Sequence, residues 1–218
     1  MENKGFIFDL DGVIVDTAHF HFLAWRKTAA QLGFELTPER NELLKGVSRI
    51  DSLHKILEWA DKKVDNETFN HLAHEKNNDY LSFVSKMTRD DVLPGVYDFI
   101  KDLKAMNAPV ALGSASKNAK TILEKTELLE MFTVIVDGNS VTHAKPDPEV
   151  FLTAAKLINT EPSECFVFED SVAGVTAANL AGMISIGIGK KEVLGHAQYI
   201  FSGFTEINID LIEKLVTT

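Results

Sequence analysis

Short apolar runs separated by helix-like stretches constrain this chain more than any other feature. The runs fall at residues 6–8, 109–112, 134–136, 166–168 and 184–188. Between the second and third, Ile122, Leu123, Leu128 and Leu129 mark a helical stretch. Between the third and fourth, Val150, Phe151, Ala154, Ala155 and Leu157 mark another. Continuous apolar runs of this length suit strands buried on both faces, and strand–helix alternation suits a parallel sheet covered by helices. The sequence therefore predicts an α/β fold.

One stretch departs from the alternation. From Thr17 to Met87 there is no convincing strand. Apolar residues recur at helical spacing instead: Phe20, Leu23, Trp25 and Leu32, then Leu53, Ile56, Leu57 and Ala60, then Phe69, Leu72 and Tyr80. This predicts an all-helical unit at 17–87 inserted into a core formed by 1–16 and 88–218. Pro94 and Gly95 punctuate the return to the core. Two chain crossings, near Asp16–Thr17 and between residues 88 and 93, are expected to form a hinge.

Composition excludes several classes. The net charge of −10 argues against a general nucleic-acid or anionic-membrane binder. No apolar run approaches the length of about 18 residues that a membrane span needs. Residue 6 already opens a strand-like run with no signal-peptide pattern ahead of it, so a cytoplasmic location is expected. The single cysteine, Cys165, lies in an apolar run and reads as a core thiol, not a nucleophile.

Four of the apolar runs close on residues with chemical potential. After the first come Asp9 and Asp11, with Gly12 ending the run. Residues i and i+2 of a strand face one side about 6.6 Å apart, which would deliver two carboxylates to one pocket. A cation would relieve their repulsion, and oxygen ligands suit Mg²⁺; an ordinary Asp-Leu-Asp-Gly turn is the alternative. The second run leads into Gly113-Ser114-Ala115-Ser116-Lys117-Asn118. Here small residues can bring N–H groups and hydroxyls to an anion, although Ser116 or Asn118 could equally cap the next helix. Lys145, ahead of Pro146, offers a fixed point charge, and Glu169 and Asp170 close the fourth strand. Each of these reads alone as a solvated surface group. In the insert, Lys45-Gly46-Val47-Ser48-Arg49 is small and basic in an acidic chain. It suits a sugar phosphate or, alternatively, an exposed turn.

The order of these motifs along the chain resembles the haloacid dehalogenase superfamily of phosphotransferases, and within it the sugar-phosphate mutases. The likeness covers the whole chain. It is carried by Phe8-Asp-Leu-Asp-Gly-Val-Ile-Val-Asp-Thr17, by His21 and Trp25, and by Lys45-Gly-Val-Ser-Arg49 with Asp51-Ser52. Lys76-Asn77, Ser114-Ala-Ser-Lys-Asn118, Lys145-Pro and Glu169-Asp-Ser171 complete it. The resemblance implies a Rossmann-like parallel sheet core with an inserted all-helical cap domain. It implies interconversion of β-D-glucose 1-phosphate and β-D-glucose 6-phosphate, with Mg²⁺ as cofactor and β-glucose 1,6-bisphosphate as activating phosphoryl donor; a Mg²⁺-dependent sugar-phosphate phosphatase is the alternative.

Roles follow residue by residue from the same resemblance. Asp9 would be the phosphorylated nucleophile and Asp11 the general acid/base. Asp9, Glu169 and Asp170, with the main-chain carbonyl of Asp11, would bind the metal. Ser114 and Lys145 would hold the transferring phosphoryl group. Ser116, Lys117 and Asn118, with Arg49, would seat the second phosphate. His21, Lys45, Gly46, Val47, Ser52 and Lys76 would contact sugar or position Asp11, and Thr17 would sit in the hinge. Ile50 stands where the family pattern has an acidic residue. Small-molecule sugar phosphates are the expected partners, and a monomer is expected.

Overall fold

A computed structural model describes residues 4–216. Its centre is a six-stranded, all-parallel sheet. The strands are β1 (Gly5–Phe8), β2 (Val110–Gly113), β3 (Val134–Val136), β4 (Cys165–Glu169), β5 (Ile184–Ile188) and β6 (Tyr199–Phe201), arranged β3-β2-β1-β4-β5-β6. Side chains alternate across the central strand. Phe6 and Phe8 face one layer, with Phe166 and Phe168. That layer is covered by α5 (Val96–Ala105), α6 (Ala119–Lys125) and α10 (Ile209–Val216). Ile7, Ala111 and Val167 face the other, under α7 (Glu149–Leu157) and α8 (Val172–Leu180). Phe8 stacks on Phe168 with ring centroids 4.6 Å apart. Full burial of each ring contributes about 1.5–3 kcal/mol.

The register places the site. Phe8 is level with Leu112 on one side and with Phe168 on the other. The residues after these three strands therefore emerge side by side. The first connection leaves β1 in one direction and a later crossover returns on its other flank, so their carboxyl ends border the crevice where open α/β sheets bind ligands.

The sheet has one more strand than the sequence predicts. β6 is three residues long, half-buried, and pairs only with β5. An edge strand that short carries no periodic signal.

Between β1 and α5 lie four α-helices: α1 (Ala18–Gln31), α2 (Pro38–Glu42), α3 (Arg49–Trp59) and α4 (Asn66–Val84). Thr37, Ser48 and Asp65 accept hydrogen bonds from N–H groups in the first turns of α2, α3 and α4, a local signal that starts each helix there. The helices bury an apolar cluster of their own, including Trp25, Leu36, Leu44, Leu53, Ile56 and Leu72. Ala24, Tyr80 and Val84 instead join the core of the sheet layer. The two connecting segments run against each other: Val15 bridges Val92, and Leu93 N–H donates to the Ile14 carbonyl at 2.9 Å. Among the described residues no helix is long and apolar enough to cross a membrane.

Candidate active site

Asp9 follows β1 and is 4% exposed. Lys145 Nζ reaches over from the loop after β3, donating to Asp9 Oδ1 at 2.7 Å, to Glu169 Oε1 at 2.6 Å and to the Gly113 carbonyl at 3.0 Å. One ammonium thus joins the ends of β1, β2 and β4. Asp170 completes a group of three carboxylates that each bring one oxygen within 4.8 Å of the other two. Burial, with Glu169 and Asp11 adding to it and Lys145 opposing, pushes Asp9 up to about 7. Burial also raises Asp170 well above the usual carboxylate range, with Glu169 and Asp9 adding their repulsion. Burial alone would lower the Lys145 ammonium, but Asp9 and Glu169 hold it above its ordinary value.

One lysine does not offset two buried acids and a half-buried third, and hard oxygen donors this close suit a divalent cation. Local backbone makes the approach possible. Gly12 has φ +82°, and a Cβ there would stand 2.2 Å from Asp170 Oδ2. Ser171 fixes the second acid by donating from its N–H and Oγ to Glu169 Oε2, at 3.0 and 2.9 Å. Its Oγ also accepts from Gly174 N–H and so caps α8. The cysteine behaves as the sequence indicates: Cys165 is fully buried, and burial pushes its thiol up to about 11.

Asp11 does not share this cluster. The chain turns at Gly12, and the Asp11 carboxylate faces the helical insert. It accepts from the Thr17 hydroxyl and, at 3.3 Å, from the Tyr80 hydroxyl. His21 Nε2 lies 3.6 Å from it, and His21 Nδ1 lies 2.8 Å from Lys76 Nζ. Both carboxylates do reach one cavity, as strand alternation predicts, but they face different partners there. Asp9 joins the acids and Asp11 joins the insert, and both line one cavity. Burial disfavours the Asp11 carboxylate, but His21, Thr17 and Lys76 outweigh it and hold the group below its usual value. Burial, with Lys76 adding to it, lowers His21. Burial, with Arg49 adding to it, drives Lys76 down to about 7 although Asp11 opposes this. Asp11 is thus kept ionised beside a weakly basic imidazole, a state fit to accept a proton.

The residues after β2 form a hydrogen-bonded loop. Ser114 Oγ accepts from Ser116 N–H at 3.1 Å, and Ser116 Oγ accepts from Asn118 N–H at 3.3 Å. Asn118 stands at the N-cap of α6, yet its side chain makes no capping bond there. It donates instead to Asn77 Oδ1 of α4, at 3.0 Å. Ser114, Ser116, Lys117 and Asn118 all line the cavity.

The insert supplies the facing wall. Lys45 Nζ lies 3.6 Å from Asp170 and 3.0 Å from Glu42. Gly46, with φ +70°, sits so close to Ser171 that a Cβ would meet its Oγ at 2.4 Å. The basic loop therefore touches the core directly. Val47, Arg49, Ser52 and Lys76 line the same cavity, and Arg49 Nε is buried without a hydrogen-bond partner. Ile50, 40% exposed, lies on this wall too. The cavity encloses about 380 Å³, large enough for a small polar metabolite. Sequence reasoning placed no chemistry on Tyr80 or Asn77. Tyr80 lay at an apolar helical position, and only the meeting of α4 with the strand ends gives these two side chains polar partners.

A family model of haloacid dehalogenase-like hydrolases matches residues 3–182. A β-phosphoglucomutase of Bacillus subtilis is 39% identical over 213 residues, spanning 97% of this chain and 94% of its own. A phosphorylated-carbohydrates phosphatase of Thermotoga maritima is 32% identical over 81% of each chain. The crystal structure of a β-phosphoglucomutase from Clostridium difficile superposes with a TM-score of 0.94 at 40% identity, covering 98% of this chain and 96% of that one. The chain belongs to the haloacid dehalogenase-like hydrolase family. It is an enzyme of phosphoryl transfer.

Proposed function

We propose that the protein interconverts β-D-glucose 1-phosphate and β-D-glucose 6-phosphate, through an aspartyl-phosphate on Asp9 and a β-glucose 1,6-bisphosphate that also primes the enzyme. One observation carries the reading. The strand end carrying Asp9, with Lys145 reaching over it, faces across one cavity a basic wall of the insert lined by Lys45, Arg49 and Lys76, and the Asp11 carboxylate turns toward that wall.

In the priming step an Asp9 carboxylate oxygen attacks phosphorus of the bisphosphate. The bond from phosphorus to the sugar oxygen breaks, and Asp11, in its protonated form, gives that oxygen its proton. In the next step a sugar hydroxyl attacks the phosphoryl group on Asp9, and ionised Asp11 takes the hydroxyl proton. Ser114 and Lys145 hold the group in flight, where fixed donors stabilise developing charge. Ser116, Lys117, Asn118 and Arg49 seat the phosphate that is not moving. His21, Lys76 and Thr17 aim the Asp11 carboxylate. When bound by Asp9, Glu169, Asp170 and the Asp11 carbonyl, Mg²⁺ supplies positive charge against the repulsion between carboxylate and phosphate.

Residues 17–87 act as the cap, hinged at Thr17, and close on a sugar phosphate to exclude water. The Thermotoga maritima relative supports a second reading, a Mg²⁺-dependent sugar-phosphate phosphatase. The basic cap wall favours the mutase, because a phosphatase has no need to hold a second phosphate while the first moves.

Anomer preference tests the reading. With bisphosphate present, β-glucose 1-phosphate should be consumed at least about a hundred-fold faster than the α anomer. The α phosphate leaves the ring in a direction that cannot meet both Asp9 and the cap cations, and misplacement by about 1 Å costs rates of that order. Equal turnover of the two anomers would count against it.

A further inference from the structure

The buried polar groups of this protein fall into two sets. Among the described residues thirteen polar or charged ones are buried. The side chains of eleven, from Asp9 to Ser185, have hydrogen-bond partners. The other two, Asn41 and Ser52, have none among the described residues, and both line the cavity. Buried polar side chains are paired as a rule. Among the described residues Arg49 Nε is the one fully buried side-chain nitrogen or oxygen without a partner, so the unpaired polar atoms of Asn41 and Ser52 are not sealed off; they open onto the cavity, where a ligand can supply the partner. Ser52 was already a candidate from the sequence; Asn41 was not.

We propose that Asn41 is a sugar-hydroxyl ligand, and so a specificity-determining residue of the cap. This rests on the mutase reading above and names a further contact in the same site. The residue is 8% exposed and lies in α2, which its surroundings fix firmly. Thr37 caps the helix, and Leu36 and Leu44 on either side are buried in the cluster of the insert. Lys55 Nζ donates to the Leu43 carbonyl at 3.2 Å, tying the end of α2 to α3. A carboxamide carries an acceptor oxygen and two N–H donors on one rigid plane, which matches hydroxyls that both donate and accept.

Charge points the same way. Lys45, Arg49 and Lys76 on this wall already answer the anionic parts of a substrate. A neutral amide adds little for phosphate, but it can tell a hydroxyl from a hydrogen. A site built around a hydroxyl leaves its own polar group unpaired when that hydroxyl is missing, and so rejects the deoxy analogue.

The experiment measures binding by calorimetry, which needs no turnover. Glucose 6-phosphate, its 2-, 3- and 4-deoxy analogues and inorganic phosphate are titrated into the unaltered protein and into Asn41→Ala. Asn41→Ala should bind glucose 6-phosphate about ten-fold more weakly. One deoxy analogue should bind the unaltered protein more weakly by a similar factor, yet lose little further in the variant. Inorganic phosphate should bind both proteins alike. Unchanged affinity for glucose 6-phosphate overturns the assignment. So does an equal loss for all the deoxy analogues, or a matching loss for inorganic phosphate. If Asn41→Ala does not fold, Asn41→Ser carries the same comparison. Turnover of β-glucose 1-phosphate by the unaltered protein is followed separately. Hydroxyl-selective binding without turnover would sink the mutase reading and leave Asn41 assigned. Turnover without the coupling would do the reverse.

Discussion

Asp9→Asn is expected to lower turnover by at least about 10⁴-fold while leaving the fold intact, because it removes the carboxylate proposed to receive the phosphoryl. The carboxamide has nearly the shape of the carboxylate, and Lys145 keeps its 2.6 Å bond to Glu169. Stability should not suffer in metal-free protein. Burial already pushes the Asp9 carboxyl up to about 7, so the folded chain resists its charge. For an acid with a raised folded value, that cost is absent at low pH and grows as pH climbs from the ordinary range of about 4 toward 7. A neutral side chain escapes it. The melting temperature of Asp9→Asn at pH 8 should therefore equal or exceed that of the unaltered protein. Activity retained by the variant would remove Asp9 from its role; activity lost together with the fold would contradict the structural argument.

Removing divalent cations should have an effect of similar kind. Asp9, Glu169 and Asp170 bring three carboxylates within 4.8 Å, and a phosphate must approach them. Lys145 alone cannot balance that charge. Metal charge at a reacting phosphate contributes several kcal/mol, so excess chelator should lower the rate on the order of 10³-fold. Added Mg²⁺ should restore it. Full activity in excess chelator would show that these acids bind no catalytic metal.

The core of the site was legible because Asp9, Ser114, Glu169 and Asp170 lie at or just past the ends of buried strands, with Lys145 in the loop after β3. Apolar runs in a parallel sheet signal their position by composition alone, and the crevice lies beyond their carboxyl ends. That geometry made the strand ends at Asp9, Ser114 and Glu169 candidates, and the motif order, through the family resemblance, gave these three with Lys145 and Asp170 their expected roles. Asp11 shows the limit. Strand alternation places it beside Asp9, but the chain has already left the strand, and the turn at Gly12 hands its carboxylate to Thr17, Tyr80 and His21. Alternation says nothing past the last ladder residue.

The cap was read less completely for a related reason. Helical periodicity identifies which residues face an apolar cluster, and it gave Trp25, Leu53, Ile56 and Leu72 correctly. It does not tell a buried tyrosine in the core from one whose hydroxyl reaches a carboxylate, so Tyr80 was missed as a polar partner. Asn77 entered only as part of the Lys76-Asn77 motif, with no role of its own, and Asn41 carries no pattern at all. Their significance depends on α4 lying over the loop after β2 and on α2 lining the cavity, and both are long-range placements.

The claim at the centre of this account is that the cap directs the phosphoryl group to a sugar and not to water. Lys45, Arg49, Ser52 and Lys76 can grip a sugar phosphate, and water offers them nothing to hold. The direct test follows both products at once, with β-glucose 1-phosphate as substrate, a trace of β-glucose 1,6-bisphosphate as primer, and saturating Mg²⁺. Glucose 6-phosphate should form at least about a hundred-fold faster than free phosphate. Free phosphate appearing as fast as glucose 6-phosphate would contradict the account and establish the phosphatase in its place.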